Sequence, residues 1–178
     1  LNDQYNAFVT GNRKIYINTG LIEKSISLSE VQGILAHEIG HLILNHHSSR
    51  LINSRNLSKY SKLATFAGLA LATQGKLDTD SSLGLIIGSK DLATKSLLQF
   101  SRIQENEADK FALDLLIKKN ISLNGLEKLL IKLSNEDLYT RNSLTNYYRT
   151  HPFSRQRLEQ VKRYKLKQKT VHTLEKQI

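Results

Sequence analysis

Within ILAHEIGHLILNHH (34–47), His37, Glu38 and His41 have the types and spacing needed to activate water on a metal. On a helix, positions i and i+4 project from one face a turn apart, so both imidazoles can address one ion. Zinc makes bonds of roughly 2 Å to such nitrogens. Glu38 lies one position round, beside that ion rather than on it, and suits a base that takes a proton from water held there. By chance, an HExxH array should arise about once in a hundred chains of this His and Glu content. Gly40 inside the motif costs about 1 kcal/mol of helix propensity relative to alanine. It makes sense where a second backbone packs close to the helix.

Two histidines and a base leave the metal short of a ligand. His47 has the count of the metzincin pattern HExxHxxGxxH, but position 44 is Leu, and LILN is expected to carry the helix onward. Ten residues of helix put His47 about 80° round from His37 and roughly 15 Å along the axis, out of reach unless the helix breaks. Metzincins also need a Met-turn, and the chain has no Met; the Cys ligand of peptide deformylases is absent too. RNA-processing metalloenzymes with the same three-His spacing lack a Glu at the position of Glu38.

The missing ligand must then be an acid or a His on another element, and the best candidate region is SRIQENEADKFALDLL (101–116). Read as a helix, it puts Glu105 and Asp109 on one face and Glu107 about 200° from Glu105. Glu105 can ligate the metal while Asp109 orients a ligand His through its free ring N–H, as metal-bound histidine generally requires. Further on, His151 precedes Pro152, which biases it toward extended geometry. It reads as a donor to a developing oxyanion, as a reversible fourth ligand, or as a loop residue without a role. Tyr147, Tyr148 and Arg149 are further candidates for reaching an oxyanion.

The elements that must position these residues are mostly helical. AFVTGNRKIYIN (7–18) reads as two short strands around a Gly-Asn turn, and the strand near Ile15–Asn18 could offer an edge to an extended substrate. SLSE (27–30) is a capping box, with Ser27 as cap and Glu30 reaching back, opening a helix of roughly twenty residues. A second helix is expected from about Asp91 to Lys119, ended by Asn120, and a third over 122–135 with Leu126, Leu129, Leu130 and Leu133 on one face. Residues 136–153 read as a loop and the remainder from Ser154 as a last helix. The expected fold class is mainly α with a small β-sheet, in a single domain over 1–178.

No apolar run reaches the eighteen or so residues that span a bilayer. LATFAGLALAT (63–73) and LGLIIG (83–88) are each too short, and read as buried or mouth-lining segments. The 178 residues carry a formal charge of +10, of which +8 falls in 141–178, with ten Lys/Arg against two Glu. That tail reads as a solvated basic helix face; a nucleic-acid-binding domain has no recognition motif behind it. The absence of Cys excludes a thiol nucleophile and a disulfide framework. Beginning at Leu1 without Met, the chain is expected to be N-terminally incomplete, and the absence of a leader here says nothing about targeting.

Taken together, NAFVTGNRKIYINTGLI, LAHEIGHLILNHH, SRIQENEADKFALDLL and THPFSRQR resemble segments of the HtpX/BepA-like zinc metallopeptidases, a family that includes the CAAX prenyl endopeptidases. The resemblance covers almost the whole chain. His46 matches a further His often seen in the family's zinc helix. The resemblance implies a gluzincin-type domain holding one Zn²⁺ on His37, His41 and Glu105, with Glu38 as the base and Asp109 behind a ligand. It implies that His151 can fold over the site and fill the open position, with Arg157 following it as a regulatory or substrate-contacting residue. Lacking transmembrane helices, the chain is similar to the BepA-like or Oma-like branch. The implied activity is an endopeptidase of the bacterial periplasm or cell envelope, in protein quality control, with peripheral membrane contact. Its substrates would be unfolded or misassembled envelope proteins, not nucleic acid. A latent zinc-bearing, chaperone-like module closed by His151 is the alternative.

Overall fold

The structure is a computed structural model and describes residues 1–74, 78–139, 147, 150–152 and 154–175. Strands β1 (Ala7–Val9) and β2 (Ile15–Ile17) precede helices α1 (Thr19–Lys24), α2 (Leu28–Ile43), α3 (His46–Thr73), α4 (Thr79–Lys118), α5 (Asn124–Tyr139) and α6 (Arg155–Glu175). The fold is mainly α with a small sheet, as expected. Contacts group the chain into two compact units, Leu1–His47 with Gln104–Ile178, and Ser48–Ile103.

In the first unit, β1 and β2 pair antiparallel with Ala7 opposite Ile17 and Val9 opposite Ile15. The turn between them takes its left-handed residue at Arg13 (φ 59°), closed by Thr10 N–H donating to the Lys14 carbonyl at 3.0 Å. Helix α2 starts after Ser27 as predicted, but the reciprocal capping box does not form: Ser27 makes no side-chain cap, and Glu30 reaches one residue further back than the cap. The Ser27 hydroxyl pairs with Ser29 at 2.9 Å, while Glu30 accepts the Ile26 N–H at 2.9 Å. Glu30 is buried because it has two further partners, the Tyr5 hydroxyl at 2.5 Å and Lys132 Nζ at 2.9 Å.

The α2 helix ends earlier than its apolar pattern suggests. Instead of continuing through LILN, it stops at Ile43, and Asn45 adopts the left-handed region (φ 57°). Asparagine tolerates that conformation better than most residues, so the chain turns without the glycine that the metzincin pattern uses. The C-terminus of α4 is built the same way: Asn120 (φ 53°) ends the helix, and Ile121 N–H donates back to the Leu116 carbonyl at 2.9 Å.

The core packs α2 against α5. Leu126, Leu129, Leu130 and Leu133 on α5 are buried as expected, together with Ile34, Leu113, Leu116 and Val161. Gly33 is required at that crossing, since a Cβ there would stand 2.6 Å from the Leu126 nitrogen.

The second unit holds the remaining lengths of α3 and α4. Helix α4 begins twelve residues before the predicted start at Asp91. The expectation that the apolar runs near 63–73 and 83–88 are buried is corrected. Leu63, Phe66, Leu69, Leu83 and Ile87 are each at least half exposed, because no element among the described residues covers those faces. No helix among the described residues is long and apolar enough to cross a membrane.

Candidate metal centre

Helix α2 brings His37, Glu38 and His41 to the face that meets α4, and Gly40 is what allows the two backbones to approach. A Cβ at Gly40 would lie 2.9 Å from the Ala108 carbonyl oxygen and 3.0 Å from its Cα. This close approach sets Glu105 and Asp109, on the facing turn of α4, against the two histidines. All four side chains are buried.

The ligand-type atoms converge. His37 Nε2 lies 3.0 Å from His41 Nε2, 3.2 Å from His151 Nδ1 and 3.2 Å from Glu105 Oε2. Glu105 also reaches His151 Nδ1 at 3.2 Å and His41 Nε2 at 3.4 Å. One donor atom from each of His37, His41, Glu105 and His151 falls within 4.8 Å of the others. Bonds of about 2 Å in a tetrahedron give ligand-to-ligand edges of about 3.3 Å, so this set has the size and donor chemistry that zinc takes. His47 is elsewhere: its ring lies 3.2 Å from where a Cβ of Gly11 would stand.

His37 is oriented from behind. His37 Nδ1 sits 2.8 Å from Asp109 Oδ1, so its N–H faces the carboxylate and Nε2 is the nitrogen turned to the cluster. Asp109 is in turn gripped by Arg157, through Nε at 2.6 Å and Nη2 at 2.9 Å. Arg157 Nη1 reaches Glu105 Oε2 at 3.1 Å and donates to the Pro152 carbonyl at 2.9 Å. Expected as a regulatory or substrate-contacting group, Arg157 is buried and holds Glu105, Asp109 and the segment after His151.

Glu38 points at the other side of the cluster. Its Oε1 lies 3.3 Å from His151 Nε2 and accepts from the Tyr147 hydroxyl at 3.5 Å. Its Oε2 is buried with no hydrogen-bond partner among the described residues. His151 is thus placed between the base and the ligand atoms, stacked on Tyr147 with ring centroids 4.5 Å apart. Tyr148 and Arg149 lie outside the described residues.

The electrostatics separate two carboxylates of similar depth. Burial raises the pKa of Glu38 above the ordinary carboxylate value, against the pull of His151 and His37. Burial would raise Glu105 too, but His151 and Arg157 outweigh it and hold Glu105 well below that range. Glu105 therefore stays an anion suited to a cation, while Glu38 is poised to exchange a proton. Burial takes His41 down to about 3, in spite of Glu105. In His37, hydrogen bonds to Asp109 and Glu105 overcome burial and lift the ring to about 9.

Sequence reasoning did not assign His46, Glu107 or Gln104. The His46 and His41 Nδ1 atoms are 3.0 Å apart, and His46 Nε2 is 3.2 Å from Glu107 Oε2. Gln104 donates to the His46 carbonyl at 3.1 Å. The predicted rotation of Glu107 away from Glu105 was a signal that it serves another partner.

Comparison with known proteins places the chain in a lineage. The chain is 29% identical over 160 residues to Metalloprotease YcaL of Escherichia coli (strain K12), covering 88% of this chain and 57% of that protein. It is 22% identical over 161 residues to the beta-barrel assembly-enhancing protease of Yersinia pestis, covering 90% of this chain and 32% of that protein. It is 27% identical over 163 residues to Metalloendopeptidase OMA1, mitochondrial, of Bos taurus, covering 89% and 30%. The chain thus spans less than two thirds of the length of each of these relatives. No solved structure gives a significant match. The model of peptidase family M48 matches residues 1–165, and the chain belongs to that family.

Proposed function

We propose that this chain is the peptidase domain of a zinc-dependent endopeptidase of gluzincin type, a single domain over 1–178 that includes the compact unit Ser48–Ile103. The observation that carries the reading is the convergence of His37, His41 and Glu105 at tetrahedral-edge distances beside the unpartnered Oε2 of Glu38. Zinc bound there would lower the pKa of a coordinated water toward about 7 and polarise a carbonyl. His37, His41 and Glu105 would hold it, with Asp109 and Arg157 fixing His37 and Glu105 in place. Glu38 takes a proton at its unpartnered oxygen and returns it to the leaving amine. His151 or Tyr147 can donate to the oxyanion. The name of the Yersinia relative ties that protein to beta-barrel assembly; with the resemblance to BepA-like peptidases, we extend this to substrates among misassembled envelope proteins and to a periplasmic or envelope location with peripheral membrane contact. Glu38→Gln should keep one zinc per chain and lose cleavage of a casein-type substrate; cleavage that survives the substitution sinks the assignment.

A second reading is favoured by the position of His151. With Nδ1 at the cluster and Nε2 at Glu38, its ring takes the place a catalytic water needs. On that reading the domain is a latent zinc-bearing module, chaperone-like in its partner binding. His151→Ala should then raise casein turnover severalfold; if His151 instead serves the oxyanion, turnover falls.

A further inference from the structure

We propose that His46 and Glu107 form a relay that positions His41, completing on the second histidine what Asp109 and Arg157 do for the first. The proposal rests on the zinc-centre reading above and adds to it two residues with no assigned part.

With His46 neutral, the atoms leave one consistent arrangement. Glu107 is an acceptor only, so the His46 nitrogen facing it at 3.2 Å, Nε2, carries the proton. In a neutral ring, Nδ1 of His46 is then a lone pair, and it faces Nδ1 of His41 at 3.0 Å. His41 Nδ1 must therefore be the donor in that contact, which leaves its Nε2 lone pair directed at His37 and Glu105. That is the tautomer a metal requires, and the outer hydrogen bond fixes it.

Local structure supports a positioning role. The left-handed Asn45 turn is what returns His46 to His41, five residues earlier. Gln104, itself buried, anchors the His46 backbone from α4, one residue before Glu105. The two rings meet at 75° with centroids 5.0 Å apart, a hydrogen-bonding rather than a stacking geometry. His46 is 4% exposed, so its acceptor cannot be replaced readily by bulk water.

The test uses zinc itself and the full chain. Zinc release into excess chelator is timed for wild type, His46→Leu, His46→Asn and Glu107→Ala. Ring N–H protons of the zinc-loaded proteins are followed by NMR. Asparagine can place an oxygen where His46 Nδ1 stands; leucine cannot. His46→Leu should speed release about 10- to 100-fold and, beyond the His46 ring N–H that it deletes, remove the protected ring N–H signal of His41 while leaving that of His37. His46→Asn should return release to within about threefold of wild type, and Glu107→Ala, at an exposed site that folding tolerates, should speed it by a smaller factor. Release from His46→Leu at the wild-type rate, or from His46→Asn as fast as from His46→Leu, overturns the relay while the zinc centre stands. A wild-type chain that takes up no zinc overturns the centre and the relay with it.

Discussion

Adding one methyl group at Gly40 tests how the site is assembled. Gly40→Ala would normally strengthen a helix by about 1 kcal/mol. Here the new Cβ would stand 2.9 Å from the Ala108 carbonyl oxygen, where ordinary contact begins at 3.4 Å, so α2 and α4 must separate by about half an ångström. Overpacking of that kind costs about 1–3 kcal/mol, leaving a net loss of about 0–2 kcal/mol once the propensity gain is counted. The larger effect falls on the metal. The same helices carry His37 and His41 on one side and Glu105 on the other, and half an ångström is about the tolerance of such a constellation. Zinc affinity should fall at least about tenfold. Gly88→Ala is the control: no atom lies within 4 Å of its added Cβ, and it should stabilise its helix by about 1 kcal/mol. Thermal unfolding followed by circular dichroism, with zinc competition against a chelator, reads both quantities. If Gly40→Ala stabilises as much as Gly88→Ala and binds zinc as wild type does, the close approach of the two helices is not what builds the site.

Arg157→Lys should destabilise the chain by about 3 kcal/mol in urea unfolding, since one ammonium cannot serve both Asp109 oxygens, Glu105 and the Pro152 carbonyl. A loss under about 1 kcal/mol would show the guanidinium fork to be dispensable. Glu30 predicts an acid limb of stability. Burial opposes its charge, but Tyr5, Lys132 and the Ile26 N–H outweigh burial and depress its pKa below 4.5. The stabilisation is therefore present above about 4.5 and is lost as pH falls through the depressed folded value. Glu30→Gln should cost about 1.5–3 kcal/mol at pH 7, and its gap from wild type in urea should close toward pH 3; a constant gap would refute the linkage.

Much of the site could be read from residue spacing because helical periodicity is local. His37 and His41, and separately Glu105 and Asp109, share faces in any straight helix, whatever the tertiary fold. Gly40 was legible for the same reason, as an unfavourable helix residue that needs a neighbour. The break at Leu44 and Asn45 was not legible, since LILN is a good helix sequence and the turn depends on backbone conformation at one asparagine. With it went His46 and Glu107, whose partnership exists only after that turn. Arg157 was placed by resemblance to a family; its grip on Asp109 spans 48 positions, beyond any periodic signal. The apolar runs near 63–73 and 83–88 suggested burial by composition, which reports how much apolar surface a helix has but not whether an element covers it.

The long reach of the cluster has a consequence for synthesis. His37 meets His151 across 114 positions, and Arg157 is the last arrival, locking Asp109, Glu105 and Pro152 together. Loop closure over such spans is a late and slow event. A ribosome that has delivered the HExxH helix has therefore made two imidazoles and a carboxylate without the groups that hold them. Whatever bond this site can break, the order of translation withholds that chemistry until Arg157 has been made.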